Sequence, residues 1–164
     1  MSYPDPATTP WVPLAGAGGF PQRVKATRAT NFTVSNSAWT LVLWDAEDFD
    51  TDNMHDLAAN TNRLTAKTAG VYIVHFHAWF NIQTLGTIAG AMMQVNSDTL
   101  NSNVIYSASH PQLSGISMGF SGLTTVTLGV NDWVNLWLYQ NGTGSCFLPT
   151  TNPKISCFGT WRIG

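Results

Sequence analysis

The chain has 164 residues, of which 44% are apolar and only 10% charged, with a formal net charge of −2. That length suits one domain, able to bury roughly 70% of the surface its unfolded chain would expose, and excludes a second full one. Seven Trp, eight Phe and four Tyr exclude disorder, and seven basic residues supply no electrostatic footprint for a nucleic acid.

Charged residues usually make up about a quarter of a globular chain. Here polarity comes instead from 20 Thr, 13 Asn and 12 Ser. Net charge is what keeps proteins apart in solution, so a surface this poor in it reads as that of an assembly subunit, covered by copies of itself or by partners.

Residues 1–22 form an extended arm. Pro4, Pro6, Pro10, Pro13 and Pro21 stand beside Gly16, Gly18 and Gly19, and neither helix nor central strand tolerates that composition. Trp11, Val12, Leu14 and Phe20 punctuate the arm with apolar side chains, which suits attachment to another protein; folding back on its own domain is the alternative. Met1 to Phe20 show no basic region followed by an apolar core, so no ordinary signal peptide is expected and synthesis is in the cytosol. No apolar run approaches the roughly 20 residues of a membrane span.

From residue 23 to 164 short β-rich runs alternate with Gly, Asn, Asp and Pro, and no stretch keeps a helical period. Strands are predicted over 22–30, 38–44, 71–80, 91–95, 103–107, 116–128, 133–140 and 155–163. About eight strands with irregular loops suit an all-β, two-sheet antiparallel jelly-roll sandwich better than a closed barrel. Six of the nine acidic residues fall within 45–56, read as a solvated loop whose side chains cap turns. Asp48, Asp50 and Asp52 imitate the opening of a calcium loop, but Asn53 stands where a Gly is needed and Ala59 where a bidentate Glu should close the cage.

Two strands reveal their faces. Along 71–80 the even positions Tyr72, Val74, Phe76, Ala78 and Phe80 are apolar, and the odd positions Val71, Ile73, His75, His77 and Trp79 largely so. One face meets the opposing sheet; the other needs a neighbouring subunit. His75 and His77 share that second face, where polar rings bonded across subunits explain them more simply than a metal ion does. Along 133–140, Val134, Leu136 and Leu138 form a core face, while Trp133, Asn135, Trp137 and Tyr139 point outward as a candidate binding surface for a sugar ring or a protein, unless loops or the arm cover it. Cys146 and Cys157 would oppose each other in a simple hairpin turning at Thr151 and Asn152; on opposing sheets they would stay apart, and free buried thiols are the preferred reading. The sequons beginning at Asn31 and Asn141 lack a secretion signal, and Asn141-Gly142 reads as a turn.

The chain contains no His-Glu-x-x-His, no glycine-rich phosphate loop and a single glutamate, Glu47. The expectation is a non-enzymatic protein with no cofactor and no metal.

Several segments taken in order carry a resemblance: Leu41-Val-Leu-Trp44, Phe49-Asp-Thr-Asp52, Arg63-Leu-Thr-Ala66, Ala69-Gly-Val-Tyr72, Asn131-Asp-Trp-Val134 and Phe158-Gly-Thr-Trp161. Together they resemble the trimeric jelly roll shared by tumour necrosis factor and the complement first-component globular head, in the variant found in tailed bacteriophage virion proteins. The resemblance spans 23–164, and Asn131 replaces a Gly of the family pattern. It implies a homotrimer with Ile73, His75, His77, Cys157 and Trp161 beside the three-fold axis. It also implies a virion structural protein, a tail-tip or minor tail protein contacting the host surface through a glycan or protein. In that reading the arm grips other virion proteins. A capsid decoration protein and a free soluble carbohydrate-binding module are the alternatives.

Overall fold

A computed structural model describes residues 22–82, 88–111, 118–142, 146–148 and 156–164, with the backbone alone for 80–82, 118 and 146–148. The arm residues Trp11, Val12, Leu14 and Phe20 lie outside the described residues.

The described residues form twelve strands and no helix: β1 (Arg23–Thr27), β2 (Phe32–Val34), β3 (Thr40–Leu41), β4 (Ala46–Asp50), β5 (Leu64–Thr65), β6 (Gly70–Ile82), β7 (Ile88–Val95), β8 (Val104–Pro111), β9 (Met118–Leu128), β10 (Trp133–Gln140), β11 (Cys146–Leu148) and β12 (Cys157–Arg162). They make two antiparallel sheets, a jelly-roll sandwich. The first has the order β2-β11-β6-β12-β1-β4, with β9 on the other edge of β6; the second has the order β3-β10-β7-β8, with β5 also on β10. No helix is long and apolar enough to cross a membrane among these residues.

The core follows from side-chain alternation. From the first sheet Tyr72, Val74, Phe76 and Ala78 point inward with Val24, Ala26 and Phe158; from the second come Val134, Leu136 and Leu138 with Ala89, Ala91 and Met93. Trp44, fully buried, stacks on Phe158 with ring centroids 6.0 Å apart, and Phe76 meets Tyr106 of the opposing sheet edge-on at 5.5 Å. Inward Val134, Leu136 and Leu138 agree with the alternation read from sequence.

Two sequence expectations change and one open alternative falls away. The predicted strand 38–44 shrinks to β3: Trp44 leaves the ladder and donates its backbone N–H to Thr61 O. Part of the acidic stretch is a strand rather than a loop, because β4 pairs with β1 as a sheet edge, where charged side chains guard against further pairing. Finally, β11 and β12 do not form a hairpin with each other. Cys146 faces Ile82 and Cys157 faces His77, both in ladders to β6, and the buried Cys157 thiol is free.

Asn131 adopts φ 69°, a left-handed conformation that Gly takes without strain and that Asn tolerates. The adjoining turn is closed by Asp132, whose Oδ2 accepts from Gly129 N at 2.6 Å.

Candidate functional site

The long strand β6 lies in the interior of the first sheet, so its outward side chains sit at the middle of a broad face. Register places them in rows. Arg23, Trp161, Ile73 and Thr125 form one; Phe49, Lys25, Gly159, His75 and Leu123 the next; Thr27, Cys157, His77 and Ser121 the third. All five residues expected beside a three-fold axis therefore lie on one contiguous patch.

The patch is largely apolar and partly open. Leu123 is 59%, Phe49 42% and Val71 37% exposed, an unusual grouping for a face left to water. His75 and Trp161 pack together at 5.2 Å between ring centroids. They form a ridge between two shallow hollows. One, of about 510 Å³, is lined by His75, Phe76, Ser121, Gly122, Leu123 and Trp161; the other, of about 300 Å³, by Arg23, Val24, Phe49, His75, Thr160 and Trp161.

Charge on this face is confined to one side. Lys25 Nζ donates to Asp48 Oδ2 at 2.7 Å, and that hydrogen bond raises the lysine above its ordinary value against the opposing effect of burial. Arg23 lies over the Phe49 ring at 5.1 Å. Burial, and secondarily Lys25, lowers His75 below its ordinary value, so the ring is neutral near pH 7. Burial pushes the Cys157 thiol up, which keeps it protonated and a poor nucleophile. Among the described residues no three His, Cys, Asp or Glu are grouped to hold a metal ion.

The second candidate surface is not an open groove. Trp133, Asn135, Trp137 and Tyr139 do share the outer face of β10, but Asn135 is fully buried and Trp137 is 8% exposed. The loop after β7 folds over them. Asn135 Nδ2 donates to Ser97 O at 2.5 Å and to Asp98 Oδ1 at 3.2 Å. Asp98 also accepts from Asn62 Nδ2 at 2.7 Å and binds the Arg63 guanidinium, which itself stacks on Trp133 at 4.2 Å. Trp39 covers Tyr139 at 5.5 Å. The loop-packing alternative describes this face.

The acidic segment is likewise committed elsewhere. Asp48 holds Lys25, and Asp50 accepts from the backbone N–H groups of Asp52 and His55. Two further residues, unmarked in the sequence reading, organise this end. The Arg28 guanidinium reaches Leu43 O, Thr30 and Asp45, and the buried His55 ring bridges Glu47 Oε1 at 2.7 Å and Thr61 O at 3.1 Å. The folded chain brings Leu43 and Asp45 to Arg28 and Glu47 to His55, pairings that no local pattern announces.

No family model and no curated protein matches this chain. Solved structures do. The globular domain of zebrafish complement 1qA protein matches with a TM-score of 0.63 at 16% identity, covering 87% of this chain and 98% of that one. Murine APRIL at pH 5.0 matches with a TM-score of 0.65 at 11% identity over 88% and 100% of the two chains, and at pH 8.0 with 0.64 at 10% over the same shares. At such identities the likeness concerns the fold, and the fold is the jelly roll of the tumour necrosis factor and complement-head type.

Proposed function

We propose that this protein is a non-enzymatic structural subunit that assembles as a homotrimer through the outer face of its first sheet, and that it serves as a bacteriophage virion protein. The observation that carries the self-association is the patch built by Ile73, His75, His77, Cys157 and Trp161. It is largely apolar, central to the sheet and flanked by exposed Leu123, Phe49 and Val71. Burying such a face against copies of itself gains about 25 cal/mol per Å² of apolar surface, whereas leaving it in water gains nothing.

Light scattering or sedimentation of the full chain tests the reading directly: a mass of three chains supports it, and a monomer at micromolar concentration overturns it. Ile73→Asp and Trp161→Asp each place an uncompensated charge in the interface and should give monomeric or insoluble protein; a soluble trimer of either variant would refute the placement.

The virion role rests on the ordered motifs, the charge-poor surface and the Pro-rich arm. Closure of the β10 face removes one reason to favour host contact, so a tail-tip or minor tail position and a head decoration position stand on the same footing. Antibody labelling of particles in the electron microscope separates them. Deleting residues 1–22 should abolish incorporation into particles; a truncated chain that still bound its ligand as a free module would favour the carbohydrate-binding alternative.

A further inference from the structure

We propose that the trimer is acid-labile, with protonation of His75 as the event that opens it. This rests on the trimer reading above and adds a regulation to the same face.

The imidazole lies at the centre of the patch, between Gly159 and Leu123 in the register and against the Trp161 ring. It lines both hollows. The charged groups around it are two cations and one carboxylate that already pairs with one of them. From β1 come Lys25 and Arg23, in the same row and the next. From β4 comes Asp48, whose Oδ2 is engaged by Lys25 at 2.7 Å, beside the apolar Phe49. From β12 come Trp161 and the Cys157 thiol, with Arg162 directed toward Gly70; β9 contributes Ser121, Leu123 and Thr125, none of them ionisable. Along β6 itself the neighbour on this face is His77.

A second copy seated on the patch removes what water remains around the ring. The charged form, already disfavoured by burial and by Lys25, then costs more in the assembly than in the separated chains. The sign follows from linkage. In the separated chain His75 is already held below its ordinary value of 6.5. The assembly is thus at full strength above that pH and weakens only as pH falls through the lower value of the separated chain, which then binds the proton more readily than the assembly does. Each histidine can therefore weaken association by up to about tenfold per pH unit in that window, and three by up to about 1,000-fold.

Sedimentation equilibrium of the full chain at constant ionic strength between pH 8 and pH 5 tests this, with far-UV circular dichroism at each point. The expected result is a trimer at pH 8 that dissociates toward pH 5 with its β spectrum intact and reassembles on return. His75→Gln should remain trimeric across the range. A trimer whose association constant is unchanged between pH 8 and pH 5 overturns the acid gate while leaving the trimer standing; His75→Gln dissociating as the wild type does also overturns it. A chain monomeric at pH 8 refutes the trimer reading itself. Should His75→Gln not assemble at all, the wild-type titration decides alone.

Discussion

Gly159 lies opposite His75 in the ladder between β12 and β6, and the imidazole fills the space a side chain at 159 would need. A Cβ there would stand 2.6 Å from His75 Nε2 and 2.9 Å from the Val24 carbonyl oxygen. The histidine can swing away, but the carbonyl belongs to the β1 ladder and cannot. Gly159→Ala should therefore cost about 1–3 kcal/mol, the usual cost of overpacking, read from the urea midpoint. Because it also displaces the ring from Trp161, association should weaken alongside folding. An alanine variant as stable as the wild type would mean that β1 and β12 are not held as close as this register requires.

Acid stability should depend on Asp45. Burial disfavours its charge, but Thr30 Oγ1, the Ala29 and Thr30 backbone N–H groups and the Arg28 guanidinium outweigh that and hold the carboxyl below its ordinary value of 3.8. A carboxyl depressed in the folded state contributes stability that is fully present above its unfolded value and is lost as pH falls through the folded one. Asp45→Asn should thus lower the denaturation midpoint at pH 6 and lower it by less at pH 2.5. Equal losses at the two pH values would show that the carboxylate charge is not what matters.

The parts of the fold legible in the sequence are those where alternation runs long enough to declare a face. Val134, Leu136 and Leu138 announce the core side of β10, and the double-sided apolar pattern of 71–80 announces a strand inside a sheet with its outer face open in the single chain. Strands of two or three residues such as β2, β3 and β5 are too short to show a period. β4 was obscured by its acid content, which is a property of edge strands rather than of loops. The outward aromatic residues of β10 looked like a surface because alternation tells which way a side chain points and not what lies above it. That depends on Asp98, 37 residues from Asn135, a separation at which no local pattern operates.

Asn131 offers a test of the turn leading into β10. At φ 69° a residue without a β-branch is tolerated, and Gly most easily. Asn131→Gly should change stability by no more than about 0.5 kcal/mol, whereas Asn131→Val should cost about 1–2 kcal/mol through left-handed strain. Thermal melts of both variants check the pair. A harmless valine would mean that the turn relaxes to negative φ.

The cover over the β10 aromatic residues should fail at Asp98. Its carboxylate gathers three groups from two other segments, Asn62, Arg63 and Asn135, and two of these belong to buried residues, Asn62 at 7% and Asn135 at 0% exposure. Asn135 Nδ2 keeps Ser97 O when the carboxylate is removed, but the Asn62 amide and the Arg63 guanidinium lose the partner the carboxylate provides. Leaving such donors unmatched costs about 1–3 kcal/mol, so Asp98→Ala should lose that much stability. Asp98→Asn, which keeps one acceptor oxygen, should lose less. The loop over Trp133 and Trp137 should loosen at the same time, so acrylamide should quench tryptophan fluorescence more strongly in Asp98→Ala than in Asp98→Asn or wild type. Unchanged quenching alongside lost stability would mean that Trp39 and Arg63 suffice to keep the face shut, and that Asp98 ties the segments together without acting as the latch.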